Sequence, residues 1–176
     1  TYGSVNKIIV NDRVLLPAVS SSLFAQLRDL EIINNVGNLD VSQVRLMDWM
    51  FEGTRLLREL DVSNWDMSNV TSIERMFAHS AVASLDVSNW VVSEVTNMDS
   101  TFLGVQMTTL AVDNWDVSKV TTMQGLFRHT SLQHLDLSGW KVENVEQFAW
   151  MFQYSEIENL NVSGWHLDQA VSMRAM

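Results

Sequence analysis

Leu60-Asp61-Val62-Ser63-Asn64-Trp65 returns as Leu85-Asp86-Val87-Ser88-Asn89-Trp90, the same residues displaced by 25 positions. The step continues along the chain. Trp115, Trp140 and Trp165 keep it, as do Leu110, Leu135 and Leu160, and Phe77, Phe102, Phe127 and Phe152 hold it on a third register. A fixed period in this range marks a stacked-repeat architecture, in which each unit buries its apolar face only against its neighbours. The expectation is a rod or arc with long repetitive surfaces, without a central pocket.

Within one unit the local pattern changes character. Across Leu132-Gln133-His134-Leu135-Asp136-Leu137-Ser138-Gly139-Trp140, the apolar 135 and 137 alternate with polar 134, 136 and 138, which predicts a strand with one face buried. Val120, Met123, Leu126 and Phe127 then fall on one stripe of a short helix. Ser118, Ser68 and Ser93 precede such stripes where an N-cap belongs, and Glu143 and Asp168 take the slot in later units. The predicted fold class is α/β, with one parallel strand and one short helix per 25-residue turn.

The L-x-x-L-x-L run matches the strand half of a leucine-rich repeat. The fuller unit, from Leu85 through Ser93-Glu94-Val95-Thr96-Asn97-Met98 to Phe102, resembles the BspA-type leucine-rich-repeat surface proteins. In that branch, units read roughly L-D-x-S-x-W-D-x-S-x-V-T-x-M-x-x-M-F. The resemblance covers residues 52–176 well and 25–51 more loosely. It implies a leucine-rich-repeat solenoid from a bacterial cell-surface or secreted protein, an extracellular or cell-surface location, and a role in adhesion to host matrix or to other cells.

A stack of this kind needs a cap over its first turn. Residues 1–30 are assigned to it: Lys7-Ile8-Ile9-Val10 and Val14-Leu15-Leu16 read as a hairpin turning at Asn11-Asp12, followed by a degenerate helix at Leu23-Phe24. Residues 31–176 form the repeat array. The register of Ala170, Met173 and Met176 stops one residue before the next repeat Phe, and Thr1 is neither an initiator Met nor the start of a signal peptide, so the chain reads as a fragment of something longer.

The recurrent Trp, Phe and Met are read as internal ladders, each indole N–H needing a corner carbonyl. The exposed strand face is the better candidate for binding. Its rows are Glu59, Ser84, Thr109, His134 and Asn159; then Asp61, Asp86, Ala111, Asp136 and Asn161; then Ser63, Ser88, Asp113, Ser138 and Ser163. In leucine-rich solenoids the strands line the concave side. The candidate partner-binding residues there are Glu59, Asp61, Asp86, Asp113, His134, Asp136, Asn159 and Asn161. Against this stands an architectural reading, in which Asp and Ser hydrogen-bond sideways to strands and corners. Trp49 and Trp150 lie off the ladder, in the position held by Arg75, Ser100 and Gly125, either packed over a neighbouring helix or as a convex contact.

Metal and catalytic chemistry find little support. An Asp-x-Ser-x-x-Asp calcium ladder is opposed by Val91, Lys141 and His166 in the place of Asp66. His79 and His129 lie two turns apart, too far to share zinc. There is no nucleophile elbow, phosphate loop or H-E-x-x-H, and each Asp has equivalents a turn away, so neither an enzyme nor a cofactor is expected. A net charge of −10 argues against nucleic acid, and no apolar run is long enough to span a bilayer. The lack of Cys removes disulfides and thiolate sites. The expected function is non-enzymatic surface recognition of a host matrix or cell-surface protein or glycan. The alternative is a passive stalk presenting another domain of a longer protein.

Overall fold

The computed structural model describes residues 4–176. The first three residues of the expected cap, Thr1 included, lie outside the described residues. Among the described residues there are six short strands: β1 (Lys7–Ile9), β2 (Val14–Leu15), β3 (Ile32–Asn34), β4 (Leu39–Asp40), β5 (His134–Asp136) and β6 (Asn159–Asn161). All pairings are parallel and join a segment to its equivalent one turn later: β1 with β3, β2 with β4, β5 with β6. A run of single parallel bridges links the turns on the other side of each unit, from Val19 through Leu46, Ser72, Asn97, Thr122 and Gln147 to Ser172. The repetition read in the sequence is therefore a repetition in space, with consecutive units hydrogen-bonded side by side.

Two expectations are corrected. The first is the hairpin. β1 and β2 do not pair with each other; Val10 N–H donates to Asn34 O and Leu16 N–H to Asp40 O, both in the next turn. Asn11-Asp12-Arg13 makes a corner, held by the Asn38 amide on Val10 O and by an Arg13–Asp40 ion pair. Forward pairing buries Val10 and Leu16 against the following turn, which a hairpin standing alone could not do.

The second is the helix. Among the described residues there is no α-helix, only a three-residue 3₁₀ turn at Val36–Asn38. The backbone donors explain this. Met47, Trp49, Phe51 and Gly53 donate N–H groups outward to Ser72, Glu74, Met76 and Ala78 of the next turn. Between them, Met50, Glu52 and Thr54 donate inward, three residues back, to Met47, Trp49 and Phe51. An α-helix needs every interior donor to reach four residues back, so alternate donors spent on a neighbour rule it out. The backbone is turned by left-handed residues four positions apart, such as Trp49 (φ 57°) and Gly53 (φ 69°), or Ser100 (φ 56°) and Gly104 (φ 73°). Gly104 also gives room: a Cβ there would stand 2.6 Å from His79 Nδ1. The expected caps change role as well. Ser68 and Ser118 do not cap; their N–H groups donate to Asp66 and Asp116 Oδ1, closing corner turns.

The i, i+3, i+4 burial that suggested a helix is nonetheless present: Val70, Ile73, Met76 and Phe77 are each wholly buried. Overlapping three-residue turns put those side chains inward as a helix would. Phe51, Phe77, Phe102 and Phe127 stack with centroids 5.7–5.9 Å apart and planes within 7°. Trp90, Trp115 and Trp140 run beside them at 6.2–6.5 Å. Burying each such ring contributes roughly 1.5–3 kcal/mol, and stacking adds about 0.5–1.5.

The indole N–H groups find the corner carbonyls anticipated for them. Trp90 Nε1 donates to Val62 O at 3.0 Å, Trp115 to Val87 O at 3.1 Å, Trp140 to Val112 O at 2.8 Å and Trp165 to Leu137 O at 2.8 Å. Each acceptor lies in the preceding turn and also takes the backbone N–H of its own turn's Trp. Trp65 is the exception. Its indole is buried without a partner, because the turn before it has Leu39 in place of Trp and is reshaped by the 3₁₀ segment.

Candidate functional site

The strand side of each turn carries the candidate rows. Glu59, Asp61, Asp86, Asp113, His134, Asp136, Asn159 and Asn161 are all exposed, while Leu60, Leu85, Leu110 and Leu135 between them point inward and are buried. The alternation predicted from Leu132–Trp140 is thus realised along the array.

What these side chains bond to divides them. Asp61 Oδ1 accepts from the Ser63 N–H at 3.2 Å and hydroxyl at 2.6 Å. Asp86 does the same with Ser88, Asp136 with Ser138 and Asn161 with Ser163. These are Asx turns that start the corner after the strand. The hydroxyl and amide of Ser63 hold the Asp61 carboxyl below the usual range; Ser138 does so for Asp136, with help from Asn161. The middle row is therefore partly spent on architecture. Side chains also reach across turns, with Asn159 Nδ2 at 2.9 Å from His134 Nδ1 and Asn161 Nδ2 donating to Asp136 Oδ2 at 3.2 Å.

Glu59 and Asp113 make no such bond. Glu59 borders a groove of about 570 Å³ shared with Asp61, Ser84, Asp86, Asn34 and Asn35, floored by Leu60 and Ile33. Asp113 stands in the Ser position of its turn, opposite Ala111 rather than Asp, and lines a groove of about 310 Å³ with Leu110 and Asp136. The backbone opens these grooves. From residue 57 to 113 the strand segments form no ladder, and the N–H groups of Leu60, Leu85 and Leu110 have no backbone acceptor.

Trp49 and Trp150 are half-buried on the turn side, both with left-handed backbone. The Arg128 guanidinium lies over the Trp150 ring, 6.0 Å from its centre, so this tryptophan packs on a neighbouring turn, though not on a helix. The sequence reading did not single out Arg128. Its clue was the Gly125–Trp150 alternation, which leaves space on one turn and fills it from the next. A carboxylate column also emerges on this side: Asp48, Glu74 and Asp99 occupy successive turns. Asp48 accepts from the Ser72 hydroxyl and Glu74 N–H, Asp99 from the Thr122 hydroxyl and Gln124 N–H. Partial burial, with Asp48 and Asp99 nearby, raises the Glu74 carboxyl above its ordinary value despite the Asn97 amide. Among the described residues no three His, Cys, Asp or Glu side chains come together as a metal set, and no helix is long and apolar enough to cross a membrane.

Similar turns, hydrogen-bonded one to the next around continuous aromatic ladders, define a repeat protein. The chain belongs to the family described as "Mycoplasma protein of unknown function, DUF285", whose pattern matches residues 19–109 and again 80–176. The two matches overlap and together run from the second strand corner to the last residue, as a pattern made of several repeats would. Neither the curated proteins nor the solved structures yield a match to the chain.

Proposed function

We propose that the turns form a leucine-rich-repeat solenoid of the BspA-like kind and that it serves as a non-enzymatic recognition module at a bacterial cell surface. Its strand face binds a protein or glycan of host matrix or of another cell by many weak contacts repeated along the array. One observation carries this reading: a run of exposed polar side chains from Glu59 to Asn161, interrupted at Ala111, whose members Glu59 and Asp113 are not committed to corner bonds. Contacts at regular spacing give avidity without a deep pocket.

A combined Glu59→Ala, Asp113→Ala and His134→Ala variant tests it. Binding of the folded chain to immobilised matrix proteins and cell-surface extracts, with denatured chain as control, falls at least tenfold while the melting temperature holds. Unchanged binding removes the strand face from the interaction. A second reading, a passive stalk that presents another domain, is favoured by one fact: Asp61, Asp86 and Asp136 direct their carboxylates into corner turns. A stalk binds none of these surfaces, and the triple variant then changes nothing.

A further inference from the structure

Of the tryptophans in the 25-residue register, Trp90, Trp115, Trp140 and Trp165 bond their indole N–H to the turn before, and Trp65 does not. Its ring is set as theirs are. It lies on Phe51 at 6.0 Å and 27°, as Trp90 lies on Phe77 at 6.2 Å and 28°, so its N–H is directed at the preceding corner. The carbonyl in the acceptor's place is Val36 O, which takes the Leu39 N–H as Val62 O takes that of Trp65. Val62 and Trp90 are 28 residues apart; Val36 and Trp65 are separated by one more. The 3₁₀ turn at Val36–Asn38 absorbs that extra residue, and the indole is left without its acceptor. Trp65 is only 4% exposed, and enclosing such a donor unpaired costs about 1–3 kcal/mol.

Beside this mismatch lies a groove of about 340 Å³, with the 3₁₀ corner on one side and Asn64, Trp65 and Asp66 on the other. Its polar groups are of both kinds. Asp66 gives one carboxylate oxygen to the Ser68 N–H and keeps the other free. The Asn64 amide makes no hydrogen bond among the described residues, whereas the equivalent Asn114 donates to Ser88 O at 2.7 Å. Arg13 and Asp40, also on the walls, neutralise each other. Leu39 and Val41, both buried, supply an apolar wall. A free acceptor, a free amide and an enclosed donor thus meet at one junction between turns.

We infer that this corner groove binds a neutral sugar unit of a glycan. A hydroxyl both donates and accepts, so a ligand rich in hydroxyls answers a carboxylate oxygen, an amide and an indole N–H together. With Arg13 and Asp40 cancelled, Asp66 is the remaining charge of the groove, which disfavours an anionic sugar. A metal ion does not fit, since among the described residues no three His, Cys, Asp or Glu side chains gather. The volume stands at the low end of the ~300–1,000 Å³ usual for small-ligand sites, and an apolar wall with a few convergent polar groups is their ordinary make-up. Gly37 admits the ligand. Nothing stands within 4 Å of a Cβ position there, so the 3₁₀ corner has room to shift and uncover the indole. The groove lies at the corners, outside the rows of the strand face, and does not depend on the reading of that face.

The test is titration of the full chain, labelled with nitrogen-15, with glucose, galactose, mannose, N-acetylglucosamine and their disaccharides, following the indole N–H resonances. The Trp65 signal is assigned by its loss in Trp65→Phe. At least one sugar should move that signal saturably as the N–H gains an acceptor, while the Trp115 and Trp140 signals stay in place. Asp66→Asn, which keeps the bond to Ser68 and replaces the free oxygen by a donor, and Asn64→Ala should each weaken that sugar at least fivefold with unchanged melting curves. Glu59→Ala should leave its binding intact. The inference is overturned if no sugar moves the Trp65 signal, if both corner variants bind as the parent does, or if Glu59→Ala abolishes the effect. A response to trilysine or triglutamate in place of any sugar overturns the ligand class as well.

Discussion

The two sides of each turn are built from the same backbone and are held in opposite ways. On the turn side, alternate amides from Met47 to Gly53 cross to the next unit, and the pattern recurs at Ile73, Met98, Met123 and Phe148. On the strand side, ladder pairing survives only near the two ends of the array, and the central segments leave Leu60, Leu85 and Leu110 amides without backbone acceptors. Cohesion between units therefore resides where the sequence had suggested helices, and the face expected to be a sheet is the more open one. A repeat stack can be tied more densely along one side than along the other, where indole bonds and scattered amides suffice.

That contrast can be broken in several ways. The largest effect belongs to the seam. Phe102→Ala, which empties a ladder position that is 1% exposed, should cost about 3–5 kcal/mol in urea unfolding; Leu110→Ala on the open side, at 9%, should fall near the lower end of about 2–5. Equal losses would mean that both sides hold the stack alike. Hydrogen exchange reads the difference without mutation. The Ser100 and Phe102 amides, bonded to Gln124 O and Leu126 O, should exchange roughly a hundredfold more slowly than those of Leu85 and Leu110.

A finer test uses the indoles. Trp115→Phe forfeits a bond to Val87 O and leaves a ring of similar kind, whereas Trp65→Phe forfeits none. The first should be less stable than the second by about 1 kcal/mol, measured by chemical denaturation. The smallest effect is the response to acid. The Ser42 side chain and amide, with Arg13, lower the Asp40 carboxyl from 3.8 to about 2, and Asp61, Asp116 and Asp136 are lowered by their own serines. Folded values below unfolded ones mean that this stabilisation is complete above the unfolded value and fades as pH falls from about 4 toward 2. Glu74, raised mainly by burial, acts in the opposite sense: protonation relieves it, and Glu74→Gln should lift the melting temperature slightly at neutral pH. Corner amides such as Ser63 should lose exchange protection in acid before the turn-side amides do.

Much of this was legible in the residues. The period placed Trp90, Trp115 and Trp140 and Phe77, Phe102 and Phe127 in their ladders, which Phe51 joins from 26 residues before Phe77, and the alternation at Leu132–Trp140 named the exposed rows. The turns were harder to read. Overlapping three-residue turns bury i, i+3 and i+4 much as a helix does, so apolar spacing at Val120, Met123, Leu126 and Phe127 could not separate them. The left-handed positions would have done so had all been glycine, but Trp49, Arg75, Ser100, His79 and His129 hide what Gly53, Gly104 and Gly125 reveal. The hairpin misreading has the same root. Two short apolar runs around Asn11-Asp12 look like neighbours, and only the partner 25 residues downstream shows that they are not. Arg128 escaped notice because its setting comes from a different turn, through Trp150 and Tyr154.

The carbonyls of Val62, Val87, Val112 and Leu137 each receive two protons, one from their own unit and one from its successor. Such shared acceptors work as lateral pegs. A partial excision would leave a peg facing the wrong residue, while removal of one entire coil brings the next indole to an equivalent oxygen. Between Trp90 and Trp165, a change of length by whole coils keeps every one of these bonds and a partial one does not.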